Sequence, residues 1–471
     1  MMKHSPLKIF RIPSSVFVAL YITFATIAFS ACSNSETMGA DIEESAVVHC
    51  KDADTNISPT QEETTAKNDS LRSNTAITEP ASIDSICFPE VVCDSISEAL
   101  PLDDTEYPYA GIPRIVIETE NHRGINDRET EIPAKLQIWG QNAPESEVME
   151  LTIRGRGNST WDKPKKPYTI TFNEKQSILG MAEAKKWVLL ANYLDRTLIR
   201  NAVAFEIAKK TNLEWTPSGK FTEVFLNGKF LGNYFICEKI QINKNRLNIN
   251  KDSYLLEFDA NYDEEFKFKT PIKNLPVNIK NPDIPSEAQL AYITAYIDTI
   301  ECILYGKYQN LVIEDYLDLQ SFADFFIVFE LTENGEPLHP KSVFMYNDTG
   351  LLKAGPVWDF DWGTFIEKNV NGWRINNALW YNALFKNQAF KKKLQDNWTQ
   401  YKNEFEHIPQ IIDSLANYIK ESNDRNITLW PISIQSTDFP DKDKFFGEAI
   451  SMMMQTYSTR IAKLDVLIHN L

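Results

Sequence analysis

Two hydrophobic periods divide this chain, and their order limits what it can fold into. Apolar residues recur at every second position in 113–119, 132–138, 149–154, 168–172 and 254–258, with a shorter run at 186–190. That alternation marks half-buried strands. Between the runs 221–226 and 230–236 stands Asn227-Gly228, the pair that best fits a tight hairpin turn. Helical spacing takes over later, at 286–304, 313–332, 387–423 and 441–470, and strand patterns return only at 342–346 and 352–358. One early helix is expected at 196–210, capped by Asp195, with Leu198, Ile199, Ala202, Val203 and Ile207 on its apolar side. Strands first and helices later predict an α+β fold. No internal repeat is visible.

The 471 residues are 43% hydrophobic and 12% aromatic, which is ample for a sizeable core. The net charge of −17 is unevenly spread. Residues 1–32 carry Lys3, Lys8 and Arg11 and no acid, whereas 33–105 carry sixteen acids against Lys51, Lys67 and Arg72. The remainder, 106–471, is left with −7, and no basic face of the kind nucleic-acid binding needs is apparent. The basic start leads into an apolar run, 16–29, too short and too Ser/Thr-interrupted for a spanning helix. It ends at Phe29-Ser30-Ala31-Cys32, which resembles a bacterial lipobox with Cys32 as the lipidated residue. An ordinary signal peptide with an incidental cysteine, or a membrane anchor, is the other reading. Residues 33–105 are rich in Ser, Thr, Asp and Glu, too polar to offset chain entropy, and read as a disordered acidic tether. Cys50, Cys87, Cys93, Cys237 and Cys302 are odd in number and scattered, against a disulfide scaffold, although Cys87 and Cys93 lie close enough to pair. No CxxC or clustered histidines suggest zinc. The expected organisation is a leader over 1–31, the tether over 32–105, a main domain over 106–390 and a helical region over 391–471.

Five segments carry chemistry. In Pro356-Val357-Trp358-Asp359-Phe360-Asp361-Trp362-Gly363, two carboxylates one residue apart share a face if the backbone is extended. Carboxylates among aromatic rings are costly to desolvate without a cation, so Asp359 and Asp361 point to a divalent metal, and magnesium takes one or two carboxylates plus phosphate oxygens. Backbone amides or arginines could satisfy the same pair. Arg154-Gly155-Arg156-Gly157-Asn158-Ser159-Thr160-Trp161, followed by Lys163, Lys165 and Lys166, combines turn glycines with guanidinium forks that suit phosphate. It is not a Walker loop, and, taken alone, a turn whose arginines pair with carboxylates is the favoured reading. Lys166 stands at the entry to the 168–172 strand, where a lysine reaches phosphates, with Glu206 as its positional partner or else as a solvated helix carboxylate. The run 235–240 either offers its backbone to a base edge or simply leaves the sheet. Glu330-Leu331-Thr332-Glu333-Asn334-Gly335-Glu336-Pro337 closes an apolar helix, as an active-site loop or as a cap with Asn334-Gly335 left-handed.

Taken in order, RGRGNSTW, KKPY, WVLLANYLDRTLIRN, EVFLNGKFLGNYFICEKI, ELTENGEP and GPVWDFDWGTF resemble the CotH kinase family, over roughly 110–390. The resemblance implies an atypical protein-kinase-like fold with an N-terminal β-rich lobe and a C-terminal helical lobe. It implies ATP- and magnesium-dependent phosphorylation of serine or threonine in secreted or coat proteins. By match of position it implies Arg154, Arg156 and Lys166 near the phosphates, Asp359 and Asp361 on the metal, and Glu336 where the family has its catalytic aspartate, the base for the acceptor hydroxyl. Trp358 or Trp362 is the expected aromatic against adenine. The chain departs from the family where an aspartate becomes Glu336, and where Ser342 replaces an amide. The expected partners are a protein substrate in the envelope or outside the cell, and the membrane through the lipid on Cys32, with no nucleic acid. The alternative is an inactive kinase-like surface lipoprotein that binds glycan or protein through aromatics such as Trp373, Trp380 and Tyr381, or a structural envelope component.

Overall fold

Alternating residues in the first half close on themselves. The computed structural model describes residues 98–348, 350–366, 371–431 and 439–471. The leader, Cys32, the tether up to 97 and the Cys87/Cys93 pair lie outside the described residues. Seven strands, β1 (Arg114–Thr119), β2 (Ile132–Trp139), β3 (Met149–Gly155), β4 (Tyr168–Gln176), β5 (Ala184–Leu190), β6 (Gly219–Leu226) and β7 (Lys229–Glu238), form a closed barrel in the order β1-β2-β3-β4-β5-β7-β6. Antiparallel neighbours build most of it, and a parallel pairing of β1 with β6, Ile115 opposite Val224, closes it. Ile117, Leu136, Leu151, Ile153, Ile170, Trp187 and Ile236 fill the interior. The hairpin turns at Asn227-Gly228, both with positive φ (50° and 71°), as a type I′ turn requires.

The second half mixes helices with a second sheet. Strands β8 (Tyr254–Phe258), β9 (Lys267–Lys269), β10 (Pro276–Asn281), β11 (Val343–Asn347) and β12 (Leu352–Ala354) are ordered β12-β11-β8-β10-β9. The helices are α1 (Arg200–Ala208), α2 (Glu287–Leu304), α3 (Leu319–Leu331), α4 (Tyr381–Leu384), α5 (Gln388–Phe405), α6 (Ile408–Leu429) and α7 (Phe446–His469). Helix α3 is buried almost throughout and lies against α1, α5, α7 and β12, while α6 packs on β7. One apolar core joins β8, β10 and β11 to α1, α3, α5, α6 and α7. Among the described residues no helix is long and apolar enough to cross a membrane.

The fold is α+β, as expected, with three differences. The β-rich half is a closed seven-stranded barrel, which is not the N-terminal lobe of ordinary protein kinases. Helix α1 begins at Arg200 rather than Arg196, because Asp195 spends its carboxylate on the N–H groups of Thr197 and Arg200, both at 2.8 Å, and Leu198 sits at φ 58°. The pattern at 387–423 is two helices, broken at Glu406 and His407, since Pro409 is tolerated only in a first turn.

Candidate active site

The turn after β3 sends a cation out of the barrel wall. Gly155 lies under Trp161, whose ring leaves no room for a Cβ (2.4 Å), and Gly157 has φ 84°. The intervening Arg156 lines a cleft together with Lys165, Asn192, Tyr193, Asn201, Trp358, Asp359 and Asp361. Its guanidinium lies 5.6 Å from the centre of the Trp358 ring. Burial pulls the Arg156 pKa down, against the opposing pull of Cys237, Asp359 and Asp361.

The aspartates come from the loop after β12. Trp358 and Phe360 anchor it by packing on Phe205, at 6.0 and 6.4 Å, and Phe360 also meets Phe329 at 5.1 Å. Between and beyond them, Asp359 and Asp361 face the cleft. The backbone is not extended there: Asp359 is left-handed at φ 69°, a conformation aspartate tolerates better than most residues. Two buried amides hold the loop. The N–H of Phe360 donates to Asn201 Oδ1 at 2.8 Å, and Asn334 Nδ2 donates to the Asp359 carbonyl and to Thr364 Oγ1, both at 3.1 Å. Asn201 is held in turn by Asn192 at 3.1 Å.

Negative charge accumulates at Asp361. Burial first, then the neighbouring carboxylates of Asp359, Asp195 and Glu336, push its pKa well above the ordinary carboxylate range. Two converging carboxylates that repel one another in a buried cleft are suited to a divalent cation. Among the described residues no group of three or more His, Cys, Asp or Glu side chains is placed to hold a metal alone. Asp359 and Asp361 would have to share a divalent cation with ligands from outside the protein.

Lys165, rather than Lys166, is the lysine of the cleft. It is 1% exposed, and its Nζ donates to the carbonyls of Ala191 (2.9 Å) and Asn233 and to Asn426 Oδ1 (2.8 Å), above the Tyr234 ring at 4.5 Å. Three acceptors match the three donors of an ammonium, yet all three are neutral, and burial drives its pKa well below the usual value. An incoming anion would supply the missing counter-charge. Lys166 instead donates to the Trp161 carbonyl at 2.5 Å and lies over that ring. Glu206 pairs with Lys209 at 2.8 Å and not with Lys166.

The other expected residues are placed as follows. Arg154 bonds the Arg128 carbonyl and pairs with Glu131 at 3.8 Å, beside the cleft rather than lining it. Glu336 opens a 3-10 turn after α3, its N–H donating to Asn334 Oδ1 at 2.7 Å, close enough to raise the Asp361 pKa. The left-handed residue after α3 is Glu333 (φ 53°), not Asn334 or Gly335. Ser342 donates its N–H to Asp259 at 3.4 Å, at the start of β11. Trp362 is exposed and meets Phe439. Trp380 and Tyr381 are buried in the core, so neither presents a surface aromatic. Asn192 and Asn201 lie within the motif WVLLANYLDRTLIRN but had no role read from it, and Asn426 carried no sequence signal, because Asn201 and Asn426 act through contacts distant in sequence.

Residues 153–451 match the family model described as CotH kinase protein. The match starts in β3, includes every cleft residue named above, and runs through α5 and α6 into α7. No match is found among curated proteins. With more than half of its length in that match, the chain belongs to the CotH kinase family.

Proposed function

We propose that this kinase-like protein transfers the γ-phosphoryl group of ATP to serine or threonine hydroxyls of an envelope or extracellular protein. The observation that carries the reading is the meeting of Arg156 and Lys165 with Asp359 and Asp361 in one cleft. Phosphoryl transfer asks mainly for positioning and charge neutralisation, and this cleft offers both. Arg156 and Lys165 neutralise phosphate oxygens. Asp359 and Asp361 would hold magnesium, which supplies further neutralisation of the β- and γ-phosphates. Trp358, against Arg156, is the aromatic nearest a bound base. Glu336 orients the acceptor hydroxyl and takes its proton as the oxygen attacks the γ-phosphorus and ADP departs.

Incubation of the purified protein with labelled ATP and magnesium tests the proposal. Label transfer to protein that disappears in Asp359→Ala is expected. A protein that takes no label and shows no thermal shift with any nucleotide is not a kinase. Glu336, standing where the family has aspartate, gives a specific reason to keep a second reading, a nucleotide-binding but inactive surface lipoprotein. Nucleotide-dependent stabilisation without transfer would favour it. The envelope location rests on the lipobox-like Phe29-Ser30-Ala31-Cys32 and the acidic tether. Metabolic lipid labelling that is lost in Cys32→Ala is the expected result.

A further inference from the structure

Arg156 is the first of a row of cations on the barrel wall. Strand partners share a face, and Ile153, Ile170, Trp187 and Ile236 point inward. Arg154, Thr169, Val188 and Cys237, paired across β3, β4, β5 and β7, therefore form one outward row. Thr152, Thr171 and Lys186 form the next. Glu238 pairs with Trp187, so Lys239, one residue on, falls beside Lys186. Lys280 of β10 approaches from the second sheet.

These side chains are not a solvated charge run. Arg154, Arg156, Lys186 and Lys239 are all partly buried. Arg154 has Glu131, and Lys280 has Glu257 at 3.4 Å and Glu264. Arg156 has Asp359 and Asp361 across the cleft, but among the described residues Lys186 and Lys239 form no ion pair with a carboxylate. Burial, and then Lys186, Arg156, Arg154 and Lys280, bring the Lys239 ammonium down to about 8. Half-buried cations without counter-ions are costly, and an anionic ligand lying along the row would remove that cost.

We infer that this cationic groove on the outer barrel wall binds an acidic segment of polypeptide, with carboxylates of the segment seated on Lys186 and Lys239. Under the proposed kinase activity, on which this part rests, that segment belongs to the acceptor protein. Two residues of strand advance about 6.7 Å, so the Lys186 row lies roughly 13 Å along the wall from Arg156. That separation suits an extended peptide with an acidic residue about four positions from the acceptor hydroxyl.

Fluorescence anisotropy of short labelled serine peptides on the full chain, without nucleotide, tests the groove. A peptide with glutamates flanking serine is expected to bind, and its lysine-flanked counterpart is not. The pair Lys186→Gln and Lys239→Gln should weaken the glutamate peptide roughly tenfold, with Lys239→Arg retaining binding. Thermal stabilisation by ATP should persist in the double variant, which also shows that it folds. Peptide binding indifferent to the two substitutions overturns the inference. So does loss of ATP stabilisation with peptide binding intact, which would make the groove part of the nucleotide site. Because binding is read without turnover, a protein that takes the glutamate peptide but never transfers phosphate leaves the groove standing and refutes only the kinase reading.

Discussion

Arg460 of α7 is the strongest single tie between the C-terminal helix and the helix that leads to Glu336. It is 1% exposed, and Glu330, near the end of α3, is fully buried. The guanidinium Nε donates to the Glu330 carbonyl at 2.9 Å, Nη1 donates to the Gly372 carbonyl at 2.9 Å, and Nη2 pairs with the Glu330 carboxylate. That carboxylate also accepts the backbone N–H groups of Arg374 (2.9 Å) and Ile375 (2.7 Å). The substitution Arg460→Met keeps most of the apolar stem and removes the charge. What remains is a buried carboxylate with two backbone donors and no cation. Breaking a buried pair from one side costs about 3–5 kcal/mol, a large fraction of the ~5–15 kcal/mol that holds a typical domain together.

The sign of the pH dependence follows from Glu330. Burial raises its pKa, and Arg460 is the largest opposing influence, so removing Arg460 raises it further. A carboxyl with a raised pKa in the folded state keeps its proton longer there than in the unfolded chain. Stability then falls as pH rises above the ordinary carboxylate value, through the folded pKa. Guanidinium unfolding of Arg460→Met, followed by tryptophan fluorescence, should show a smaller deficit near about pH 5 than near about pH 8. Adding Glu330→Gln should recover part of the loss, because the carboxylate that Arg460 pairs with most closely is then gone, while Glu333, 3.9 Å from the Arg460 Nε, still lacks that cation. A deficit under about 1 kcal/mol, or one equal at both pH values with no recovery in the double variant, would refute the reasoning.

Three further outcomes are expected. Lys165→Met should weaken nucleotide binding by roughly tenfold or more, while Lys166→Met stays within about twofold, both by titration calorimetry. Asn334→Ala should cost about 1–3 kcal/mol in denaturant unfolding; if the enzyme turns over, its kcat should fall more than its nucleotide affinity, since Asp359 and Glu336 lose a shared anchor. Burial raises Glu223 and Glu257 from 4.5 to about 7. Both keep their protons to higher pH in the folded chain than in the unfolded one, so stability should fall as pH rises from about 4.5 through about 7, and Glu223→Gln should flatten that slope in urea unfolding across pH.

Local pattern carried the strands and most helices because their periods are set within a few residues. The run 254–258 is β8 to the residue, and 286–304 is α2 within one. Closure of the barrel depends on β1 meeting β6 in parallel, more than a hundred residues away, and no alternation within either strand reports its partner. Strands β9 and β10 were missed because Lys267–Lys269 is three residues long and Pro276–Asn281 opens on proline and ends before a second.

The site divides along the same line. Each charged group of the cleft sits in a short motif, so its chemistry could be read locally. Which lysine turns inward could not, because Lys165 and Lys166 precede β4 in an irregular stretch between Pro164 and Pro167 where neither period applies. The choice is made by distant acceptors: Ala191 beyond β5, Asn233 in β7 and Asn426 in α6. The aspartate loop follows the same logic, held by Asn201 from α1 on one side and Asn334 from the end of α3 on the other. Cations from the barrel and carboxylates from the helical half thus face each other only once both halves are folded and packed. A lysine bonded to three neutral acceptors and an aspartate pair crowded by two further carboxylates are each unfavourable alone. Under the proposed function, a phosphate-bound cation between them would compensate both charges at once, so metal and nucleotide should each strengthen the binding of the other.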